Sequence, residues 1–398
     1  MGTRRVDRVA VIVCDGLGVG ATPDAEAYGD AGSNTLGHLA RAVGGVRLPN
    51  LEALGIGCLT DVEGVGDRAA PGTAHGRLGE ASAGKDSTTG HWEMAGLVTR
   101  RAFPTYPDGF PPDVIGPFER AIGRPVLGNE VASGTEIIER LGEEHVRTGR
   151  PIVYTSADSV FQVACHVDVV PLETLYEWCG SARGILKGDH AVGRVIARPF
   201  RGEAGSFVRT PDRRDYSVPP PGPTVLDFAL RAGVDVYGVG KIRDIFDGHG
   251  LTQWRYSDSN DHGIDLTLEY LGRAAPSLVV TNLVDFDSKY GHRNDPQGYA
   301  SCLEALDRRV PEVLAAAGAP GSGGLVFVTG DHGCDPTDVS TDHTREYTPM
   351  LAAGIPLDRA VDVGTRATFA DLGATVAEVL GIPTEGLAGE GFAAALGW

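Results

Sequence analysis

Acidic and imidazole side chains gather after short apolar runs in this chain, and their types point to divalent-metal chemistry. Asp15 directly follows Val9–Cys14. Asp285, Asp287 and then His292 follow Leu278–Val284. Asp331 and His332 follow Leu325–Thr329, and His343 comes a little further on. Mixed carboxylates and imidazoles suit Mn, Zn or Fe better than the all-oxygen cages of Ca or Mg. Asp15, Asp287, His292, Asp331, His332 and His343 are too many ligands for one catalytic ion with an open position, and about right for two. Any one of these groups alone reads as a turn or a helix cap. It is their recurrence that favours a paired-metal site.

A further stretch, Gly84-Lys85-Asp86-Ser87-Thr88-Thr89-Gly90-His91-Trp92-Glu93, brackets a run of hydroxyls with glycines. Glycine lets a backbone approach a phosphate closely, and the hydroxyls offer a nucleophile. A neutral hydroxyl attacks phosphorus poorly, but beside a divalent cation it deprotonates more readily. The plainer reading is a Thr-rich turn that caps a helix. Lys85 does not complete a Walker A loop, because Asp86 follows it where Ser or Thr is needed. Asp15-Gly16-Leu17-Gly18-Val19-Gly20 invites a dinucleotide-binding reading. Its spacing is Gly-x-Gly-x-Gly, and the turn-like Ala21-Thr22-Pro23-Asp24 stands where a helix should open, so that reading is set aside.

The elements that must position these residues are short buried strands. Val9–Cys14, Val234–Val239, Leu278–Val284 and Leu325–Thr329 are apolar and β-branched, with helical stretches such as Gly298–Ala316 and Ala370–Leu380 between them. That alternation predicts an α/β domain with a mostly parallel sheet. Residues placed after parallel strands lie on one edge of the sheet and converge on one crevice. The middle of the chain has shorter elements: a helix near Gly134–Glu144, a strand at Ile152–Ser156, a helix near Leu172–Lys187 and a strand at Gly193–Pro199. Val218–Pro223 carries four prolines and reads as a stiff linker. The spacing predicts a core of residues 1–97 and 218–398, interrupted by a smaller α/β domain over 98–217.

Composition narrows the function classes. The 398 residues carry a net charge of -18, which argues against a nucleic-acid or anionic-membrane surface. A small phosphate remains a fit partner, because metals and a few arginines set the local field. The six cysteines are scattered with no CxxC pair, as expected of free thiols in a reducing compartment. No apolar run approaches the ~18 residues of a membrane helix, and the apolar stretch after Arg4 and Arg5 is too short for a signal peptide. The expected location is the cytoplasm.

With these features in view, the chain resembles the bacterial phosphopentomutases of the alkaline phosphatase superfamily. The resemblance is carried by Asp24-Ala25, Gly29-Asp30, Gly32-Ser33-Asn34-Thr35, Gly84–Glu93, Tyr154–Val160, Gly193–Phe200, Gly240-Lys241-Ile242, Asn282–Asp287, Gly291-His292-Arg293, Asp331-His332-Gly333 and Thr341–Tyr347. It implies an alkaline-phosphatase-like core with an inserted cap. It also implies two Mn²⁺ ions, one on Asp287, His292 and His343, the other on Asp15, Asp331 and His332. The implied nucleophile is Ser87, where family members usually carry Thr; the hydroxyl is retained. Ser156, Asp158, Val160, Arg194, Ile196, Arg209 and Lys241 would bind the sugar phosphate. The implied reaction interconverts ribose 1-phosphate (and 2-deoxyribose 1-phosphate) with ribose 5-phosphate, through a phosphoserine and a bisphosphate intermediate. A bisphosphate activator, glucose 1,6-bisphosphate or ribose 1,5-bisphosphate, would prime it. Rival readings are a phosphatase or phosphodiesterase with the same metal site, a phosphoglycerate mutase, and an inactive metal-stabilised binding protein.

Overall fold

Strands that are apolar on both faces are stable only where both faces are covered, and helices cover them here. The computed structural model describes residues 6–156, 159–318, 323–383 and 385–398. They fall into two compact units: Met1–Arg101 with Pro220–Trp398, and Ala102–Pro219. In chain order the strands are β1 (Arg8–Cys14), β2 (Thr73–Leu78), β3 (Leu127–Val131), β4 (Ile152–Thr155), β5 (Val160–His166), β6 (Arg194–Arg201) and β7 (Val208–Arg209). There follow β8 (Arg214–Ser217), β9 (Asp235–Val239), β10 (Gln253–Arg255), β11 (Ser277–Leu283), β12 (Gly324–Gly330), β13 (Thr348–Ala353) and β14 (Val361–Arg366).

The larger unit is built on one sheet in the order β10-β9-β11-β1-β12-β13-β2-β14. From β10 to β12 every pairing is parallel. β13 runs antiparallel to both neighbours, and β14 pairs parallel with β2. The apolar runs noted in the sequence are the central strands β1, β9, β11 and β12. Alternate residues of β1 serve two layers. Ala10, Ile12 and Cys14 join a core with Leu303, Leu306 and Val310 of the helix Pro296–Ala317. Val11 and Val13 face a small apolar cavity lined also by Met94 and Val376, from the helices Ser87–Met94 and Ala370–Leu380.

Register decides where the chemistry falls. Cys14 pairs with Leu283 on one side and with Gly330 on the other. The next residues in the chain, Asp15 and Asp331, therefore leave the same sheet edge side by side. Four strands of this sheet escape the periodicity argument. β2 contains Gly76 and His75, β10 is the short exposed run Gln253–Arg255, β13 contains Pro349, and β14 buries only Val361. None is an uninterrupted apolar run, and each takes its strand form from its neighbours.

The smaller unit has a six-stranded sheet in the order β3-β4-β5-β6-β7, with β8 also pairing β6. Its pairings are mixed: β3 with β4 and β5 with β6 are parallel, and the others antiparallel. Phe161, Val163 and Cys165 of β5 pack with Phe118 and Leu175, while Ala164 packs with Ile137 and Ile138 of the helix Gly134–Thr148. The unit starts at Ala102 and ends at Pro219, where the linker composition predicts 98 and 217. Hydrogen bonds explain the shift. The amide of Thr99 donates to Ser82 Oγ and its carbonyl accepts from Ala83, while the Val218 amide donates to Gly193 within the smaller unit.

The hydroxyl-rich stretch is not a loop throughout. Its second half is the helix Ser87–Met94, and Asp86 caps it by accepting from the Thr89 amide and hydroxyl. Both readings of that stretch thus meet in one place: the cap fixes the helix whose first residue is Ser87. The helix also lies close against the sheet edge. A β-carbon on Gly90 would stand 2.1 Å from the Asp331 carbonyl oxygen. Gly90→Ala is expected to destabilise the fold by about 1–3 kcal/mol through overpacking. Thermal or urea unfolding checks it; an unchanged midpoint would show that the helix has room to move.

Candidate active site

The six candidate ligands all lie in the larger unit and meet at one edge of its sheet. Asp15 and Asp331 come directly off β1 and β12. Asp287 sits in a π-helical turn, Phe286–Tyr290, that follows β11, and His292 lies in the single turn after it. Such π turns recur at functional sites because they re-aim one side chain without ending the helix. His343 arrives from the segment before β13. Three triads have all their ligand atoms within 4.8 Å of one another: Asp15 with Asp331 and His332, Asp287 with His332 and His343, and Asp287 with His292 and Cys334. His332 and Asp287, each shared by two triads, thus join the three into one continuous site.

The imidazoles are oriented alike. In each, Nδ1 donates to a backbone carbonyl, since a carbonyl can only accept. His292 donates to Thr341 at 2.6 Å, His332 to Gly333 at 3.0 Å and His343 to Lys85 at 2.9 Å. Each Nε2 is thereby turned toward a carboxylate: His292 toward Asp287 at 3.3 Å, His332 toward Asp15 at 3.3 Å, and His343 toward Asp287 at 3.4 Å. This is the arrangement in which a backbone acceptor fixes the ring and leaves the other nitrogen for a metal. Asp287 Oδ1, Asp331 Oδ2 and His343 Nε2 are buried and have no hydrogen-bond partner among the described residues. Buried polar atoms are rarely left unmatched, so three of them converging on one site fit a cation. The residues present therefore suit a metal centre.

Electrostatics gives the same answer. Burial works against a charged His332, yet Asp331, Asp15 and Asp287 hold its pKa well above the ordinary imidazole value. His292 is pushed up to about 8, chiefly by its hydrogen bond to Asp287. Burial alone would raise the Asp287 carboxyl, but His292 and His343 beside it hold it well below the usual range. Asp331 is likewise held down to about 2 by His332 and His91, against the pull of burial. Three carboxylates in a buried crevice are short of positive charge, and protons on the imidazoles supply part of it.

Ser87 sits among these groups. Its Oγ is 3.1 Å from His332 Nε2 and donates to Asp15 Oδ1 at 3.3 Å. As the first residue of its helix it also stands at the positive end of the helix dipole, which favours negative charge there.

The candidate sugar-phosphate residues are placed as follows. In the smaller unit Val160 pairs with Arg194 across β5 and β6, and Ile196 lies two residues along. Val160 and Ile196 are buried, and their backbones are engaged in the sheet: Ile196 pairs with both β5 and β8, and the Val160 carbonyl accepts from Thr155 Oγ1. Ser156 directly follows β4. Arg194 lies 3.7 Å from Asp215, and Arg209 donates to Thr135 Oγ1. Asp158 lies outside the described residues. Lys241 belongs to the larger unit and follows β9, immediately before the short helix Ile242–Ile245.

Spacing along the chain gives no hint of Arg345. This buried guanidinium donates to the carbonyls of Glu80, Ser82 and Gly84 and pairs with Glu80 and Asp24. It ties the chain that enters the Ser87 helix to the segment bearing His343. Only its presence in the Thr341–Tyr347 motif marks it, because its partners lie more than 250 residues away.

Comparison with known proteins agrees with this geometry. The family model described as Metalloenzyme superfamily matches residues 7–384. A phosphopentomutase of Anaeromyxobacter dehalogenans (strain 2CP-C) is 57% identical over 386 residues, covering 97% of each chain. That of Desulfitobacterium hafniense (strain DSM 10664 / DCB-2) is 54% identical over 374 residues, covering 94% of this chain and 96% of its own. That of Alkaliphilus metalliredigens (strain QYMF) is 52% identical over 381 residues, covering 96% and 97%. Fold, site and family model together define a metalloenzyme of the alkaline phosphatase superfamily. Within that class the chain belongs to the phosphopentomutase family, and it is an isomerase of the phosphoryl-transferring kind.

Protons on His292 and His332 must leave before their Nε2 atoms ligate a metal. Affinity for a divalent metal ion is therefore expected to rise with pH through about 8, the value for His292, and to keep rising while His332, held well above the ordinary imidazole value, still carries a proton. Calorimetric titration across pH 6 to 9 should show proton release at the lower end; affinity independent of pH would contradict this site.

Proposed function

We propose that the enzyme interconverts ribose 1-phosphate, or 2-deoxyribose 1-phosphate, with ribose 5-phosphate through a phosphorylated Ser87. The observation that carries the reading is the position of Ser87 Oγ, 3.1 Å from His332 and 3.3 Å from Asp15. A hydroxyl placed at the rim of a metal cluster is suited to phosphoryl transfer rather than to structure.

Asp287, His292 and His343 would hold one Mn²⁺, and Asp15, Asp331 and His332 the other. When bound, these ions would supply positive charge to the transferring phosphoryl group and make the serine hydroxyl easier to deprotonate. The protein's own groups do the rest. Asp86 and the helix it caps hold Ser87 at a fixed point on the sheet edge, so the nucleophile is oriented in advance. Phosphoserine at position 87 donates its phosphoryl group to the 5-hydroxyl of ribose 1-phosphate. The resulting ribose 1,5-bisphosphate turns around and returns its 1-phosphoryl group to Ser87, and ribose 5-phosphate leaves. Each step breaks one P–O bond and makes another, so no water is consumed. A bisphosphate such as glucose 1,6-bisphosphate or ribose 1,5-bisphosphate first phosphorylates the resting serine.

Recognition of the sugar phosphate is assigned to Ser156, Asp158, Val160, Arg194, Ile196, Arg209 and Lys241. Guanidinium and ammonium groups such as these suit neutralisation of a phosphate that is not reacting. Ser156 and Asp158 hydrogen-bond sugar hydroxyls. We assign the smaller unit, Ala102–Pro219, the role of the inserted cap domain.

A coupled assay with ribose 1-phosphate and Mn²⁺ should show isomerisation that a bisphosphate primer accelerates. Ser87→Ala is expected to abolish it, at least 10³-fold below wild type, since it removes the group that carries the phosphate. Labelled phosphate separates the mutase from a phosphatase. Steady release of inorganic phosphate with no sugar isomer formed would overturn the reading, and so would unaltered turnover by Ser87→Ala.

A further inference from the structure

Behind the two inner aspartates lies a buried polar chain to which the proposed mechanism gives no role. Asn282, in β11, is fully buried, and its Nδ2 donates to Asp15 Oδ2 at 3.0 Å. The same Nδ2 lies 3.4 Å from His91 Nε2. Because the carboxylate can only accept, the orientation of the Asn282 amide is settled, and both its N–H groups have a direction. His91 Nε2 must then be the acceptor, which leaves the proton on Nδ1. That Nδ1 donates to the carbonyl of Ser87 at 2.8 Å, one helical turn back, and stands 3.2 Å from Asp331 Oδ2. The contact with Asp331 is electrostatic only, since its Oδ2 keeps no hydrogen-bond partner. His91 is 2% exposed, and Asp15 and Asp331 are sealed from solvent.

We propose that Asn282 and His91 are positioning residues: one hydrogen-bonded relay from Asp15 through Asn282 and His91 to the Ser87 peptide, set beside Asp331. It would hold Asp15 at a fixed angle toward the cations and hold the nucleophile's helix in register with it. The reasoning is chemical. A carboxylate with one oxygen committed to a buried amide points its other oxygen consistently. Asp15 Oδ2 is committed to Asn282, and its Oδ1 is the atom that meets Ser87 and His332. Partners of this kind behind a metal ligand are usually worth 10- to 100-fold in metal affinity or activity.

The inference rests on the metal site proposed above, and the test separates the two. Mn²⁺ binding is measured by titration calorimetry on wild type, Asn282→Leu and His91→Asn, with circular dichroism and thermal unfolding of each metal-free protein. Leu matches Asn in size but donates nothing, and Asn at position 91 keeps a donor near the Nδ1 position while removing the Nε2 acceptor. Asn282→Leu is expected to weaken Mn²⁺ binding roughly 10- to 100-fold. His91→Asn is expected to weaken it less and to keep more of kcat than His91→Leu, because the donor to Ser87 survives. If wild type binds no Mn²⁺, the metal site itself is wrong. If wild type binds it and Asn282→Leu, still folded, binds it equally well, the relay is wrong. Should Asn282→Leu fail to fold, the ranking of His91→Asn above His91→Leu in kcat decides, and equal values would reject the relay.

Discussion

Three buried carboxylates, Asp15, Asp287 and Asp331, share one crevice, and the larger unit is organised around what that costs. Like charges brought together away from water repel strongly and lose hydration, and only positive charge offsets both. In the metal-free protein the imidazoles of His292 and His332 take up protons toward this end, as their raised pKa values record. A pair of divalent ions would do it more completely. The crevice is suited to cations because its own electrostatics is incomplete without them.

That arrangement requires rigid support, and the support is mostly backbone. Three histidines are oriented by carbonyls of Thr341, Gly333 and Lys85, which cannot rotate as side chains do. Arg345 binds three more carbonyls of the chain that leads into the Ser87 helix. The close approach of Gly90 to Asp331 sets the distance of that helix from the sheet. Ser87 thus has little freedom to leave the crevice. For the phosphoryl-carrying role proposed for Ser87, fixed position would contribute as much as intrinsic reactivity.

The six candidate ligands were legible in the sequence by their chemistry, and all but His343 because they also follow a recognisable apolar run. The parallel core was legible for the same reason: β1, β9, β11 and β12 are unbroken β-branched stretches. β2, β10, β13 and β14 were not, since Gly76, Pro349 and the exposed positions of β10 and β14 interrupt the pattern and only neighbouring strands make them regular. The domain edges shifted by a few residues because two hydrogen bonds at Thr99, invisible in composition, hold that segment to the larger unit.

By itself, then, the sequence determined which side chains could meet metal and phosphate, and that they would leave parallel strands on a common edge. The physical reason is that side-chain chemistry and hydrophobic period are local properties. Tertiary structure alone decided which nitrogen of each histidine faces inward and that Arg345 spans from the His343 segment to the Ser87 helix. It likewise decided that Asn282 stands between Asp15 and His91. Apart from the His332 contact with its neighbour Gly333, those depend on partners distant along the chain, and the in-register pairing of β1 with β11 is what sets Asp15 beside Asn282.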